Sequence, residues 1–162
     1  MSDASREAGD LRLSDQLAIR ALNDRFGYLL DHGRVEEFVA LFTPDVVYSN
    51  GARILNGREE MLAFFRRRAE SGRVSRHFYS GLQITFLGED KASAVSLWTT
   101  FAGEGPLPIA PATPFNVADV EDTYSRSPDG QWLIAARRIT PVFLSKTVPQ
   151  LPTKDEWVRD GK

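Results

Sequence analysis

Apolar residues along the chain follow two different periods, and the change falls near residue 75. Before it the spacing is helical. Leu22, Phe26, Leu29 and Leu30 recur every three to four positions and share one helix face. Ser14 suits an N-cap and Gly33 a stop, so a first helix is expected between them. The segment VEEFVALF repeats the stripe through Val35, Phe38, Val39 and Phe42, and Thr43-Pro44 ends it. DVVYSN reads as a short strand. Gly57 leads into a third helix, REEMLAFFRRRAE, with Met61, Leu62, Phe64 and Phe65 inward and Arg66, Arg67 and Arg68 on a solvated face.

After residue 75 the period drops to two. Strands are expected over 75–87, 92–102, 114–126 and 131–143, with turns at GED (88–90) and SPDG (127–130). The remaining connection, GEGPLPIAPATP, has four prolines in twelve residues and is expected as a stiffened loop over an opening. Helices followed by an antiparallel meander predict an α+β fold with the helices on one face of the sheet. Residues 1–13 are expected as a flexible tail, 14–143 as the domain, and 144–162 as a second tail carrying Trp157.

A length of 162 residues suits one domain. A net charge of −2 offers no electrostatic footprint for nucleic acid or an anionic membrane. No apolar run approaches the roughly 18 residues of a membrane span. The polar start, MSDASREAGDLR, does not read as a secretory signal, and a cytoplasmic protein is expected. The absence of cysteine removes disulfides, thiolate nucleophiles and iron–sulfur ligands, and only two histidines exist, His32 and His77.

The candidate chemistry centres on His77, in SRHFYSGLQI. Histidine suits proton transfer near neutral pH but needs a carboxylate to fix its tautomer. Asp31 ends an apolar helix, where the macrodipole disfavours a negative charge, so a partner elsewhere would explain it. Strand parity raises an obstacle: Leu82, Ile84 and Phe86 share one face, and in a regular strand His77 and Tyr79 fall on the other. Gly81 lies between the two sets and could host a bulge that switches the face. Spacing alone leaves a catalytic and a structural histidine both open. Asn116 falls on the opposite face from Asp119 and Glu121, whose acids are expected at the surface. Trp98 and Trp132 are expected in the core, and His32 in a surface loop.

The order YLLDHG, FVALFTPDVVYSNG, NGREEMLAFF, SRHFYSGLQITF and DTYSRSPDGQWLIAARRI resembles the SnoaL-like branch of the nuclear-transport-factor-2-like superfamily over residues 14–143. The resemblance implies a cone-shaped α+β barrel, a strongly curved, mostly antiparallel sheet wrapped around three N-terminal helices, with a pocket in its mouth. It also places Asp31 and His77 at the Asp–His dyad of scytalone dehydratase and hexachlorocyclohexane dehydrochlorinase, which use no cofactor or metal. Tyr48 resembles the pocket aromatic that polarises substrate, and Arg137 or Arg138 matches a position that stabilises developing negative charge. Tyr28, three residues before Asp31, could share its face, and Asn116 is a further substrate-contact candidate.

The implied function is a cofactor-independent lyase that eliminates water or another small leaving group from a hydrophobic cyclic substrate. Isomerisation or polyketide-type cyclisation with the same dyad is the enzymatic alternative, and a noncatalytic ligand-binding module is the other. A homo-oligomer, trimer or dimer, is expected because a curved sheet exposes a second face.

Overall fold

The computed structural model describes residues 3–110 and 112–146, and side chains from residue 12 onward. The described residues form nine elements in order: α1 (Asp3–Asp31), α2 (Val35–Val39), β1 (Phe42–Asn50), β2 (Arg53–Asn56), α3 (Gly57–Glu70), β3 (Val74–Phe86), β4 (Lys91–Gly103), β5 (Pro114–Arg126) and β6 (Trp132–Leu144). The α+β class and the mostly antiparallel sheet are as the sequence predicts. The six strands lie in the order β2-β1-β6-β5-β4-β3, an open sheet with β2 and β3 at its edges. Among the described residues only the β1–β6 pairing is parallel.

Helix α1 begins at Asp3 rather than at a cap on Ser14. Ala4, Glu7 and Ala8 are strong helix formers, so nothing before Ser14 breaks the run. Its end is as expected. Gly33 has φ +65°, Arg34 N–H donates to the Leu29 carbonyl (3.0 Å) and Gly33 N–H to that of Leu30 (3.4 Å), a Schellman ending. Asp31 is thereby fixed in the last turn. Strand β2 was not foreseen: its RILN is short and flanked by Gly51 and Gly57 turn signals, but it pairs antiparallel with β1. The tail beyond residue 146, with Trp157, lies outside the described residues.

The helices cover the inner face of the sheet. Ile19, Leu22, Phe26, Leu29 and Leu30 of α1 are buried together with Phe38, Phe42, Phe64, Phe65 and Trp98. Phe26 sits at the centre, its ring 5.0 Å from Phe38 and 5.3 Å from Trp98; such aromatic contacts stabilise by about 0.5–1.5 kcal/mol beyond area burial.

Two bulges decide which side chains face inward. In β3, Ser80 pairs with Leu97 and Gln83 with Val95, so Gly81 and Leu82 together oppose Ser96. Gly81 takes φ +63°, a left-handed conformation that suits glycine. Ser75, His77 and Tyr79 before the bulge and Leu82, Ile84 and Phe86 after it therefore all point to the helices. In β6, Tyr124 pairs with Ile134 and Thr123 with Ala136, leaving Ala135 extra. That shift turns Arg137 inward and Arg138 outward.

Candidate active site

Asp31 and His77 meet beneath the inner face. The His77 Nδ1–H donates to Asp31 Oδ1 at 2.6 Å, and the His77 backbone N–H donates to Oδ2 at 2.7 Å. Ser75 Oγ–H donates to Oδ1 at 2.6 Å. The carboxylate at the end of α1 is thus held by three hydrogen bonds from β3, which offset the unfavourable dipole there. The Asp31 side chain is 4% exposed and that of His77 15%. At Gly27 a Cβ would stand 3.4 Å from the His77 carbonyl oxygen, an ordinary contact, so alanine would fit between α1 and β3 while a longer side chain would crowd the strand.

Arg68 holds this arrangement from behind. It is buried in the last turn of α3, donating from Nη2 to Ser75 Oγ (2.7 Å) and from Nη1 to the Leu30 carbonyl (3.2 Å). The solvated face expected for the three consecutive arginines holds for Arg66, which pairs with Glu36, but not for Arg68. Helical spacing turns Arg68 toward the same side as Phe64 and Phe65.

The protonation states follow from these contacts. Burial opposes ionisation of Asp31, but the hydrogen bond and charge of His77, the Ser75 hydroxyl and the His77 amide outweigh it and hold the carboxyl below its usual range. Burial likewise depresses His77; Asp31 opposes this, while Arg68 and Arg73 add to it, and the net shift is downward. The pair therefore rests as carboxylate and neutral imidazole, with the proton on Nδ1 and the lone pair on Nε2.

His77 lines a cavity of about 190 Å³ between α1, α3 and the sheet. Its walls include Phe26, Tyr48, Phe65, Trp98, Asn116 and Arg137. Burial pushes the Tyr48 hydroxyl up against the pull of Arg137, Arg53 and Arg68, keeping it neutral. Arg137 is 1% exposed and forms a two-point pair with Asp122: Nε to Oδ1 and Nη2 to Oδ2, both 2.7 Å. Asn23 accepts from Nη2 at 2.5 Å, and Tyr124 donates to Asp122 at 2.7 Å. Its guanidinium also lies 4.0 Å over the Phe26 ring. Among the described residues, Arg137 Nη1 is buried without a hydrogen-bond partner, as is the Asn116 side-chain oxygen.

A model of the SnoaL-like domain matches residues 11–138. The chain belongs to this SnoaL-like family. No curated protein matches it. Solved structures with the fold include a provisionally assigned scytalone dehydratase from Novosphingobium aromaticivorans (21% identity, covering 90% of this chain and 95% of that one, TM-score 0.76). An NTF2-like protein with a cystatin-like fold from the same organism shares 26% identity over 91% and 96% of the two chains, TM-score 0.73. ActVI-ORFA from Streptomyces coelicolor shares 16% identity over 80% and 98%, TM-score 0.69.

In this SnoaL-like domain the cavity gathers His77, Tyr48, Arg137 and Asn116, with Asp31 directly behind His77. Two expected residues fall elsewhere. Arg138 points outward and pairs with Glu121, because the Ala135 bulge reverses its parity. Tyr28 is exposed and stacks on His32, since three residues along α1 carry it past the face that bears Asp31. Asp119 and Glu121 are exposed as expected, and Trp98 and Trp132 are buried. Asn23, Arg53, Arg73, Ser75 and Asp122 went unnoticed, and Arg68, expected on a solvated face, is buried. A signal existed for Asp122, which shares strand parity with Asn116 and Val120 and faces Arg137 across the ladder. Among the described residues no group of three His, Cys, Asp or Glu side chains offers a metal site, and no helix is long and apolar enough to cross a membrane.

Proposed function

We propose that the domain is a cofactor-independent lyase in which His77 is the general base and Asp31 its orienting carboxylate. The 2.6 Å Nδ1–Oδ1 contact, with the Nδ1 proton committed to Asp31 and the ring at the cavity wall, carries this reading. Nε2 takes a proton from a substrate carbon next to an activating carbonyl. The C–H electron pair moves into the enolate, and Arg137 Nη1 and the Tyr48 hydroxyl donate to the enolate oxygen. Collapse of the enolate forms the C=C bond and breaks the bond to a β-hydroxyl, which departs as water with the proton from Nε2. The Asn116 amide oxygen, a buried acceptor in the wall, suits that hydroxyl. A ring of aromatic side chains fits a hydrophobic cyclic substrate. The proposal includes a homo-oligomer, trimer or dimer, and a cytoplasmic location.

A screen of cyclic β-hydroxy ketones in D₂O, followed by NMR, tests it. The wild type should produce enones, and His77→Ala and Asp31→Asn should each slow turnover by about 10²–10⁴-fold without altering the thermal melt. Deuterium incorporation with a migrated double bond would identify isomerisation by the same base. Full activity in either variant would reject the dyad.

A further inference from the structure

Arg68 is a buried cation whose hydrogen bonds both go to uncharged oxygens, the Leu30 carbonyl from Nη1 and the Ser75 hydroxyl from Nη2. Among the described residues no Asp or Glu forms an ion pair with it. Burying a cation is costly, and an apolar side chain of similar volume fills such a space at lower cost. Packing alone therefore does not account for an arginine here. The direction of the hydrogen bonds does. A guanidinium donates and cannot accept, so Ser75 Oγ turns a lone pair toward Arg68. Its single proton is left for Asp31 Oδ1, 2.6 Å away. The donor chain thus runs one way, from Arg68 on α3 through Ser75 on β3 to Asp31 on α1, where Oδ1 also accepts the Nδ1–H of His77. The bond to Leu30 ties the same guanidinium to the helix end that carries Asp31.

We propose that Arg68 and Ser75 are positioning residues for the base, holding Asp31 as a pure acceptor turned toward Nδ1 of His77 throughout the reaction. The inference rests on reading His77 as the base and deepens it. Once Nε2 has taken the substrate proton, the imidazolium has two protons to lose. Passing the Nδ1 proton to Asp31 would leave a neutral ring protonated on Nε2, the wrong tautomer for the next turnover and a poor acid for the departing hydroxyl. The Ser75 hydrogen bond and the Arg68 charge favour the carboxylate, so the Nδ1 proton stays and Nε2 returns its own. They also temper the base. A carboxylate shared with Ser75 holds an imidazolium less strongly, and Arg68 repels it directly. The charged and titratable groups facing His77 are Asp31 on α1, Arg68 on α3 and Arg73 ahead of β3, where Glu104 acts on Arg73. Tyr48, Arg53 and Arg137 line the same cavity from β1, β2 and β6.

Because the chain has two histidines, NMR of the full chain labelled with ¹⁵N-histidine reads the His77 ring without substrate, and His32→Gln assigns its signals. In wild type the neutral ring should carry its proton on Nδ1. Ser75→Ala and Arg68→Met should each titrate His77 at higher pH than wild type, whereas Asp31→Asn should move it the other way. Arg68→Lys keeps the charge and should stay nearer to wild type than Ser75→Ala does. Ser75 lies outside the cavity lining, so in turnover Ser75→Ala should lower kcat about tenfold, the loss of one hydrogen bond to a charged group, with KM unchanged. If Arg68→Met does not fold, Ser75→Ala and Arg68→Lys decide. A His77 titration in Ser75→Ala that is unmoved or lower, an Arg68→Met that titrates with wild type, or an undiminished kcat in Ser75→Ala overturns the proposal. Raised titrations with no His77-dependent turnover would leave the Arg68–Ser75–Asp31 chain standing while the reading of His77 as a base falls. His77-dependent turnover with unmoved titrations would do the reverse.

Discussion

At the scale of single residues, the decisive property of His77 is that it is neutral at rest. Burial lowers its pKa from the ordinary value near 6.5, and Asp31 only partly restores it. A base must be unprotonated to act. The acid limb of kcat/KM should therefore lie below about 6.5, with activity flat above it and falling as pH drops through it. Asp31→Asn removes the carboxylate that raises the imidazole, so the limb should move further down while the plateau falls. An acid catalyst would show the reverse, with activity rising toward low pH, and a pH–rate profile of both proteins separates the two. Stability shares the sign. Below about 6.5 the unfolded chain binds a proton that the folded one resists, so stability declines as pH falls toward the depressed pKa. Asp31 adds the same dependence lower down, because its stabilisation is lost as pH falls through its own depressed value.

At the scale of elements, the site depends on β3 changing parity at Gly81. The conflict between the His77 and Leu82 sets is legible in the sequence, because both sets need the helices and a regular strand serves only one. The matching bulge in β6 is not legible. Ala135 carries no glycine-like mark, and unbroken alternation from Trp132 and Ile134 would have selected Arg138 rather than Arg137. Arg68 was hidden for a related reason: three consecutive arginines look like a solvated face, and only the position of Ser75 explains why one is buried. Gly81→Ala should retain the bulge and cost about 1–2 kcal/mol, read as a lower urea midpoint with the dyad's activity preserved. Deleting Gly81 is a harsher test. It leaves Leu82 alone opposite Ser96, so either His77 or the Leu82 set must face outward. Turnover should disappear or the core should loosen, and a deletion variant with both activity and melt intact would show that the bulge does not position His77.

At the scale of the whole molecule, the outer face of the sheet is the feature the isolated chain does not account for. Val95 and Leu97 on β4, Phe78 on β3 and Phe143 on β6 are each at least half exposed, although their strands lie in a sheet with a well-covered inner face. An antiparallel sheet can face water on one side when that side is polar, and part of this one is, through Asp119, Glu121 and Arg138. The apolar positions around them form the kind of surface that a second copy covers. A homo-oligomer is expected on that basis, and sedimentation velocity at micromolar concentration should give a mass two or three times that of the 18.1 kDa chain. Leu97→Glu places a charge at the centre of this face, directly across the ladder from Asp119. It should therefore shift the distribution toward monomer while leaving the Asp31–His77 pair on the opposite face intact. A wild type that sediments as a monomer would remove the assembly from the account without touching the cavity, because the residues assembled there all come from one chain.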